Sequence, residues 1–311
     1  MKKRAAGEGT GESVPRAARE QRDTSGADVP WGSRGWFERA LSGGPLTAES
    51  YYGHRVSGYQ IYRHTRVATL LRQHVEPLRD MTILDVGCAL GDLGRAVTRA
   101  GRGLRVVGMD FVPSVAKLAS ALDPAPSFLA AALPELPFRD SRFDLILAAE
   151  VLYYLRGTDR TRCLDEIARV LRPSGWLLFS SPVDSGVSYF TVEGAVAYLS
   201  RRFVVRVIAN DNNRAYWFLK RQLERVVRRS APIDGERGVR SAEGQSERCK
   251  RTGVRSLLDQ AVLAGLKPIA RAARWGLSWV WLPRLLGSVT ALMLSASAVS
   301  NTTIIAHKRP E

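Results

Sequence analysis

A glycine-rich turn between a buried strand and a helix is the feature that most constrains the fold of this chain. Residues 82–86, Thr-Ile-Leu-Asp-Val, have the length and apolar character of a buried strand, and Gly87 and Gly91 follow them. A helix is predicted next, over residues 93–100. Glycines in such a turn let the backbone approach a ligand closely, and the start of the helix offers unpaired N–H groups. The sequence therefore predicts a cofactor-binding turn.

Strands and helices alternate on both sides of this turn. Ordered structure is expected to begin near Trp36 and Phe37, and a helix is predicted over residues 59–74, before Pro77. Further strands are predicted at residues 105–110, 143–148, 176–180, 203–208 and 302–308. Further helices are predicted at residues 114–122 and 159–171, the second ending before a turn at 172–175. This alternation predicts a doubly wound α/β fold, with a mostly parallel sheet covered on both faces.

An acidic residue at the end of the second strand indicates which kind of cofactor the turn binds. Asp110 follows Gly91 by 19 residues, and a carboxylate there can accept hydrogen bonds from both hydroxyls of a ribose. The G-x-G-x-x-G spacing that places a dinucleotide pyrophosphate on a helix terminus is absent around Gly87. A nucleoside cofactor is therefore favoured over a nicotinamide dinucleotide.

Three motifs in order resemble the class I S-adenosylmethionine-dependent methyltransferases, in particular the group called methyltransferase type 11. Residues 83–91, ILDVGCALG, resemble the first motif of that family, and residues 136–138, LPF, followed by 141–146, SRFDLI, resemble its next block. Residues 166–175, EIARVLRPSG, are similar to the helix and turn before its fifth strand. The resemblance covers residues 51–211 and the closing strand. It implies a seven-stranded sheet and S-adenosyl-L-methionine as the cofactor.

The resemblance also implies a role for individual residues. The methionine part of the cofactor would be surrounded by Asp85, Gly87, Cys88 and Gly91. Asp110 would hold the ribose, with Phe111 against the adenine and Leu133 at the adenine edge. Arg63 or Arg66, on the helix before the first motif, would pair with the cofactor carboxylate.

Candidate catalytic residues lie after the fourth strand and on the early helix. Glu150 would lie at the mouth where the methyl group and the acceptor meet, and it is the first candidate for a general base. It can equally position the cofactor without moving a proton. Tyr153, Tyr154 and His64 are further candidates. Alternatively, the two tyrosines only form part of the pocket wall, and His64 belongs to an ordinary packed helix.

Two departures from the family pattern bear on cofactor binding. Ala89 replaces the middle glycine of the first motif, which is a mild change if the local backbone angles are ordinary. Ala131 and Ala132 stand where the family has an acid for the adenine amino group. The loss of that hydrogen bond would weaken binding by about 1 kcal/mol, unless Glu135 compensates.

The chain is interpreted as five segments. These are a disordered leader at 1–30, a helical lid at 31–80, the cofactor-binding domain at 81–211, a basic and apolar helical insertion at 212–301, and a final strand at 302–311. Cys88, Cys163 and Cys249 lack metal-ligand spacing, so we expect no metal site and no disulfide framework. With no apolar signal segment before Trp31, a cytoplasmic location is expected.

Charge and apolar character make the insertion distinctive. The net charge is +16, and residues 212–311 contain 18 Lys and Arg against 7 Asp and Glu, which favours an anionic partner. Within residues 255–300, Arg271, Arg274 and Arg284 flank three tryptophans. This pattern fits either an element in the interface of an anionic membrane or a cap over an apolar pocket.

Both interpretations of the insertion suggest a small, hydrophobic or lipid-linked acceptor. An RNA methyltransferase ranks lower, because the arginines of residues 225–255 are not interleaved with aromatic side chains. A non-catalytic, membrane-associated binding protein is the remaining alternative.

Overall fold

The computed structural model describes residues 33–42, 58–183, 190–211 and 299–309. The predicted leader and nearly all of the predicted insertion lie outside these residues. The chain divides into two compact units. Of the described residues, 33–42, 64–183, 190–210 and 300–309 belong to the first unit, and 58–63, 211 and 299 to the second.

Most elements of the described chain agree with the predicted helices and strands, but the strand at Ser127–Ala130 and the helix at Val192–Leu199 were not predicted. The helices are α1 (Arg34–Ser42), α2 (Gly58–His74), α3 (Asp92–Ala100), α4 (Pro113–Leu122), α5 (Gly157–Val170) and α6 (Val192–Leu199). The strands are β1 (Thr82–Val86), β2 (Arg105–Asp110), β3 (Ser127–Ala130), β4 (Phe143–Ala149), β5 (Leu171–Pro182), β6 (Phe203–Asp211) and β7 (Asn301–Lys308). None of the described helices is long and apolar enough to cross a membrane.

The seven strands form one sheet in the order β3-β2-β1-β4-β5-β7-β6. Strands β1 to β5 pair in parallel, and β7 runs antiparallel to β5. The doubly wound, mostly parallel sheet predicted from the sequence is therefore confirmed. The strand order reverses at β1, which lies between β2 and β4, and ligands of such sheets bind beyond the carboxyl ends of the strands at this point.

Apolar side chains on alternate positions of the strands cover both faces of the sheet. Leu84 and Val86 of β1 pack on the face that α5 and α6 cover, whereas Ile83 packs on the face that α2 and α3 cover. All five residues of β1 are buried, because a central parallel strand has helices on both sides. The carboxyl end of β1 is thereby held rigidly.

The region between α5 and β5 differs from the sequence-based prediction. We expected the helix to run to Leu171, a turn at residues 172–175 and a strand from Trp176. In the structure Leu171 already pairs with Phe143 of β4, and the register shifts before Trp176 pairs with Leu145. Residues 172–175 are thus an irregularity inside β5, where Ser174 has a φ of 61°. Turn residues can also form a bulge in a strand, and the local sequence does not separate the two.

Candidate functional site

The turn between β1 and α3 is fixed by hydrogen bonds to the end of the neighbouring strand. The N–H groups of Gly87 and Cys88 both donate to the Met109 carbonyl, at 2.7 and 3.0 Å. Gly87 has a φ of 69°, and a Cβ at this position would lie 2.7 Å from Val151 Cγ2. Gly87 is therefore required both for its backbone angle and for the close approach of the Val151 side chain.

Ala89, in the middle of the turn, also adopts a left-handed backbone conformation, with a φ of 46°. The sequence-based expectation of a mild change required ordinary backbone angles, and the structure contradicts that condition. A left-handed L-residue costs roughly 1–2 kcal/mol relative to its ordinary conformation. The turn therefore keeps a strain that a glycine at this position would not have.

Asp110 connects this turn with the loop that follows β2. Its Oδ2 accepts a hydrogen bond from the Ala89 N–H at 3.0 Å, and its Oδ1 accepts one from the Val112 N–H at 3.0 Å. Burial raises the pKa of the Asp110 carboxyl above its ordinary value, and hydrogen bonds from backbone amides oppose this shift. The carboxylate is thus held rigidly at the carboxyl end of β2.

A cavity of about 270 Å³ opens at the carboxyl ends of β1, β2 and β4. It lies in the first unit, at the point where the strand order reverses. Its lining consists of Phe37, Gly87, Ala89, Met109, Asp110, Phe111, Ala131, Ala132, Leu133, Glu150, Val151, Tyr154 and Leu155. Two carboxylates thus border a cavity whose other side chains are largely apolar, which suits a nucleoside with both polar and apolar faces.

Three aromatic side chains form one wall of the cavity. The ring centroid of Phe37 lies 5.4 Å from that of Phe111 and 5.8 Å from that of Tyr154, both in steep edge-to-face arrangements. Such pairs fix the orientation of each ring. Phe111 was assigned from the resemblance, whereas Phe37 was missed as a site residue. Its only signal in the sequence is an apolar pair, Trp36 and Phe37, where order was expected to begin.

The edge of the cavity beyond β3 carries no acidic side chain among the described residues. Ala131, Ala132 and Leu133 line it. Glu135, considered above as a substitute acid, instead forms an exposed ion pair with Arg162 and does not line the cavity. The proposed compensation is therefore not seen, because the side chain of Glu135 extends toward α5.

Glu150 follows β4 directly and borders the cavity. Its backbone has a φ of 59°, and its N–H donates to the Ser180 carbonyl at 2.9 Å. Its side-chain Oε1 accepts hydrogen bonds from Ser180 Oγ at 2.7 Å and from Asn301 Nδ2 at 2.9 Å. Sequence reasoning identified Glu150 but missed Ser180 and Asn301, which belong to two other strands.

Asp85 and Cys88 are buried and do not line the cavity themselves. Burial raises the pKa of Asp85 to about 7, the amide of Gly94 opposes this shift, and the nearby Asp110 adds to it. Asp85 Oδ2 has no hydrogen-bond partner among the described residues. An orphaned buried oxygen below a glycine turn is a group that a bound ligand or a water would satisfy. Burial also raises the pKa of the Cys88 thiol, which keeps it neutral.

The remaining predicted residues lie outside the cavity lining. Gly91 precedes α3 with a φ of 80°. His64 is half-buried in α2, and Tyr153 is buried, with its hydroxyl 3.3 Å from that of Tyr154. Arg63 belongs to the second unit, where it donates to Gln60 Oε1 at 2.9 Å. Of the four catalytic candidates, Glu150 and Tyr154 line the cavity, whereas Tyr153 and His64 do not.

In the part of the chain that the structure describes, no three His, Cys, Asp or Glu side chains are grouped closely enough to hold a metal ion.

Comparison with known proteins relates part of the chain to methyltransferases. Residues 84–179 match the family model described as "Methyltransferase domain". An uncharacterized methyltransferase of Mycobacterium tuberculosis (strain ATCC 25618 / H37Rv) is 33% identical over 101 residues, which are 32% of this chain and 40% of that protein. A 2-phytyl-1,4-naphtoquinone methyltransferase of Nostoc sp. is 39% identical over 101 residues, which are 30% of this chain and 43% of that protein. The chain spans less than half the length of these curated relatives.

A solved structure shares the fold over a larger part of the chain. The cyclase SpnF has a TM-score of 0.50 and 17% identity, and the similarity covers 79% of this chain and 82% of that chain. At this identity the similarity identifies the fold alone.

The left-handed conformation of Ala89 predicts that a glycine stabilises the protein. We expect Ala89→Gly to raise the free energy of unfolding by about 0.5–1 kcal/mol, because the relief of roughly 1–2 kcal/mol exceeds the extra entropy of glycine in the unfolded chain. Urea denaturation measures the change. The matched control, Ala96→Gly inside α3, should lower the same free energy by about 1 kcal/mol. Equal losses of unfolding free energy in Ala89→Gly and Ala96→Gly would contradict backbone strain at Ala89.

The raised pKa of Asp85 predicts a specific pH dependence of stability. Between its ordinary value of 3.8 and its folded value of about 7, only the folded state keeps the proton. The stability contributed by Asp85 is therefore fully present below about pH 4 and is lost as the pH rises to about 7. Relative to Asp85→Asn, the wild type should lose roughly 3 kcal/mol between pH 4.5 and 7.5. If the unfolding free energies of the two proteins change in parallel across this pH range, the raised pKa of Asp85 is excluded.

Proposed function

We propose that this chain is an S-adenosylmethionine-dependent methyltransferase acting on a small, hydrophobic or lipid-linked acceptor. Residues 84–179 match the model of a methyltransferase domain, and they lie in a doubly wound, mostly parallel sheet. This proposal rests on the contact between Asp110 and the glycine turn. There a rigid carboxylate and a tight glycine turn border one cavity at the reversal of the strand order.

The residues of the cavity fit the parts of this cofactor. Asp110 would accept hydrogen bonds from the ribose hydroxyls, and Phe111 and Leu133 would contact the adenine. The backbone of Gly87 would border the methionine part. With Ala131 and Ala132 at the adenine edge, adenine recognition would depend on backbone groups and on apolar contact, and not on a side-chain carboxylate.

The cofactor supplies a methyl group that is already activated on a positively charged sulfur. The protein then has to place the nucleophilic atom of the acceptor in line with that methyl group and to keep water away, and positioning of this kind provides most of the acceleration. The aromatic wall of Phe37, Phe111 and Tyr154 would exclude water. Glu150, at the border of the cavity, would accept a proton where the acceptor must lose one, or would only position the reactants.

An apolar acceptor is supported by the character of the cavity and by the named relatives. Leu155 and Tyr154 add to an apolar lining beyond the two carboxylates. Among the relatives are the naphtoquinone methyltransferase and a ubiquinone biosynthesis O-methyltransferase of Paracidovorax citrulli. A malonyl-(acyl-carrier protein) O-methyltransferase of Serratia marcescens is also among them, so a carrier-linked acceptor is a second possibility within the same class.

Residues 255–300 are proposed to bring the protein to an anionic membrane surface. Support comes from the sequence, in which arginines flank three tryptophans within an apolar stretch. Of these residues, 255–298 lie outside the described part of the chain. Purified protein should sediment with vesicles containing anionic phospholipid and not with neutral ones. Sedimentation with neither kind would instead favour a cap over the pocket.

The proposed activity is tested with S-adenosylmethionine carrying a labelled methyl group. Wild-type protein should bind the cofactor in calorimetry and transfer label to the organic-extractable fraction of a mixture of cellular lipids and metabolites. Asp110→Ala should lower the affinity at least about 100-fold, because two hydrogen bonds to a charged group are lost. The control is Asp140→Ala, since Asp140 is exposed and pairs with Arg169 at the surface.

Three other outcomes would contradict the proposal in different ways. An absence of cofactor binding at millimolar concentration would remove the cofactor assignment. Binding without any transfer would favour a non-catalytic protein. Label that ribonuclease releases would indicate an RNA substrate in place of an apolar acceptor.

A further inference from the structure

The carboxylate of Glu150 is held by side chains from two other strands of the sheet. Ser180 Oγ of β5 and Asn301 Nδ2 of β7 both donate to the same oxygen, Oε1, at 2.7 and 2.9 Å. Hydrogen bonds to a charged group are shorter and stronger than those between neutral groups. Two donors on one oxygen fix the plane of the carboxylate and hence the direction of Oε2.

Strand order and register bring these three residues together. Strand β7 runs antiparallel to β5, so its first residue, Asn301, pairs with the last residue of β5, Pro182. This pair lies at the carboxyl edge of the sheet, where β4 also ends and Glu150 follows. Asn301 is thereby brought beside a residue 151 positions away in the chain.

Both donors are buried, and the Ser180 hydroxyl and the Asn301 amide nitrogen each donate to Glu150. Ser180 is 2% exposed and Asn301 is 7% exposed. A buried polar side chain that loses its partner costs about 1–3 kcal/mol, so the two donors and the carboxylate hold each other in place. The Glu150 backbone is fixed as well, since its N–H donates to the Ser180 carbonyl.

Glu150 also adopts a backbone conformation that is unfavourable for its residue type. Its φ of 59° lies in the left-handed region, and strain of this kind persists only where surrounding contacts impose it. The conformation places the side chain where it both borders the cavity and reaches Ser180 and Asn301. Backbone strain, two buried donors and a cavity wall thus coincide at one carboxylate.

We propose that Ser180 and Asn301 are positioning residues that hold Glu150 toward the positively charged methionine part of bound S-adenosylmethionine. This inference rests on the proposed function. The carboxylate borders the same cavity as Gly87, whose backbone would border that part of the cofactor. An oriented anion in a partly desolvated cavity attracts a cation more strongly than a mobile one at the surface.

A double-mutant cycle on cofactor affinity tests this role without any acceptor. The proteins are wild type, Asn301→Ala, Glu150→Ala and the double variant, each titrated with S-adenosylmethionine in a calorimeter. Asn301→Ala should lower the affinity about five- to tenfold in the wild-type background. It should change the affinity less than about twofold once Glu150 is already alanine, because Asn301 acts only through that carboxylate.

Two further variants separate positioning from a general effect on the sheet. Ser180→Ala should reproduce the result of Asn301→Ala through the second donor. Ser181→Ala is the matched control, since Ser181 is the adjacent buried serine of β5 and its hydroxyl donates to the Pro182 carbonyl. Its cofactor affinity should equal that of wild type. Thermal melting of every variant shows whether the fold is kept.

The possible results decide between the proposals. Equal losses from Asn301→Ala in both backgrounds, or no loss in the wild-type background, would overturn the positioning role while the proposed function stands. If Asn301→Ala fails to fold, a double-mutant cycle of Ser180→Ala and Glu150→Ala tests the positioning role in the same way. An absence of cofactor binding by the wild type would overturn both the positioning role and the proposed function.

Discussion

The buried carboxylate of Asp110 is the constraint on which the candidate site depends. It accepts backbone hydrogen bonds from Ala89 in the glycine turn and from Val112 at the start of α4. The carbonyl of the preceding residue, Met109, accepts two more from the same turn. Because the ends of β1 and β2 are joined in this way, the floor of the cavity is set by main-chain geometry before any ligand binds. Preorganisation of this kind lowers the cost of ordering a site on binding.

Two of the described non-glycine residues with a positive φ angle lie where they line the cavity. Ala89 and Glu150 both have positive φ angles, and both line the cavity. In each case a hydrogen bond from the strained residue's own N–H, to Asp110 and to the Ser180 carbonyl respectively, opposes relaxation. Such strain is kept only where neighbouring contacts over-determine the conformation, and here those contacts come from the ends of β2 and β5.

The antiparallel strand β7 gives the site a component that a purely parallel sheet would lack. In a parallel sheet all carboxyl ends meet at one edge, so the amino end of a strand cannot contribute there. By running in the opposite direction beside β5, β7 places its first residue at that edge. The amide of Asn301 can then donate a hydrogen bond to Glu150.

The sequence by itself determined the alternation of strands and helices, the glycine turn, Asp110, and the approximate place of Glu150. These features depend on apolar periodicity and on spacings of a few residues, which local physics fixes. Only the tertiary structure decided that Phe37, Ser180 and Asn301 belong to the site, that Ala89 is strained and that residues 172–175 interrupt a strand. Those outcomes depend on strand order, register and long-range packing. The energies that select them arise between residues far apart in the chain, so no local pattern contains them.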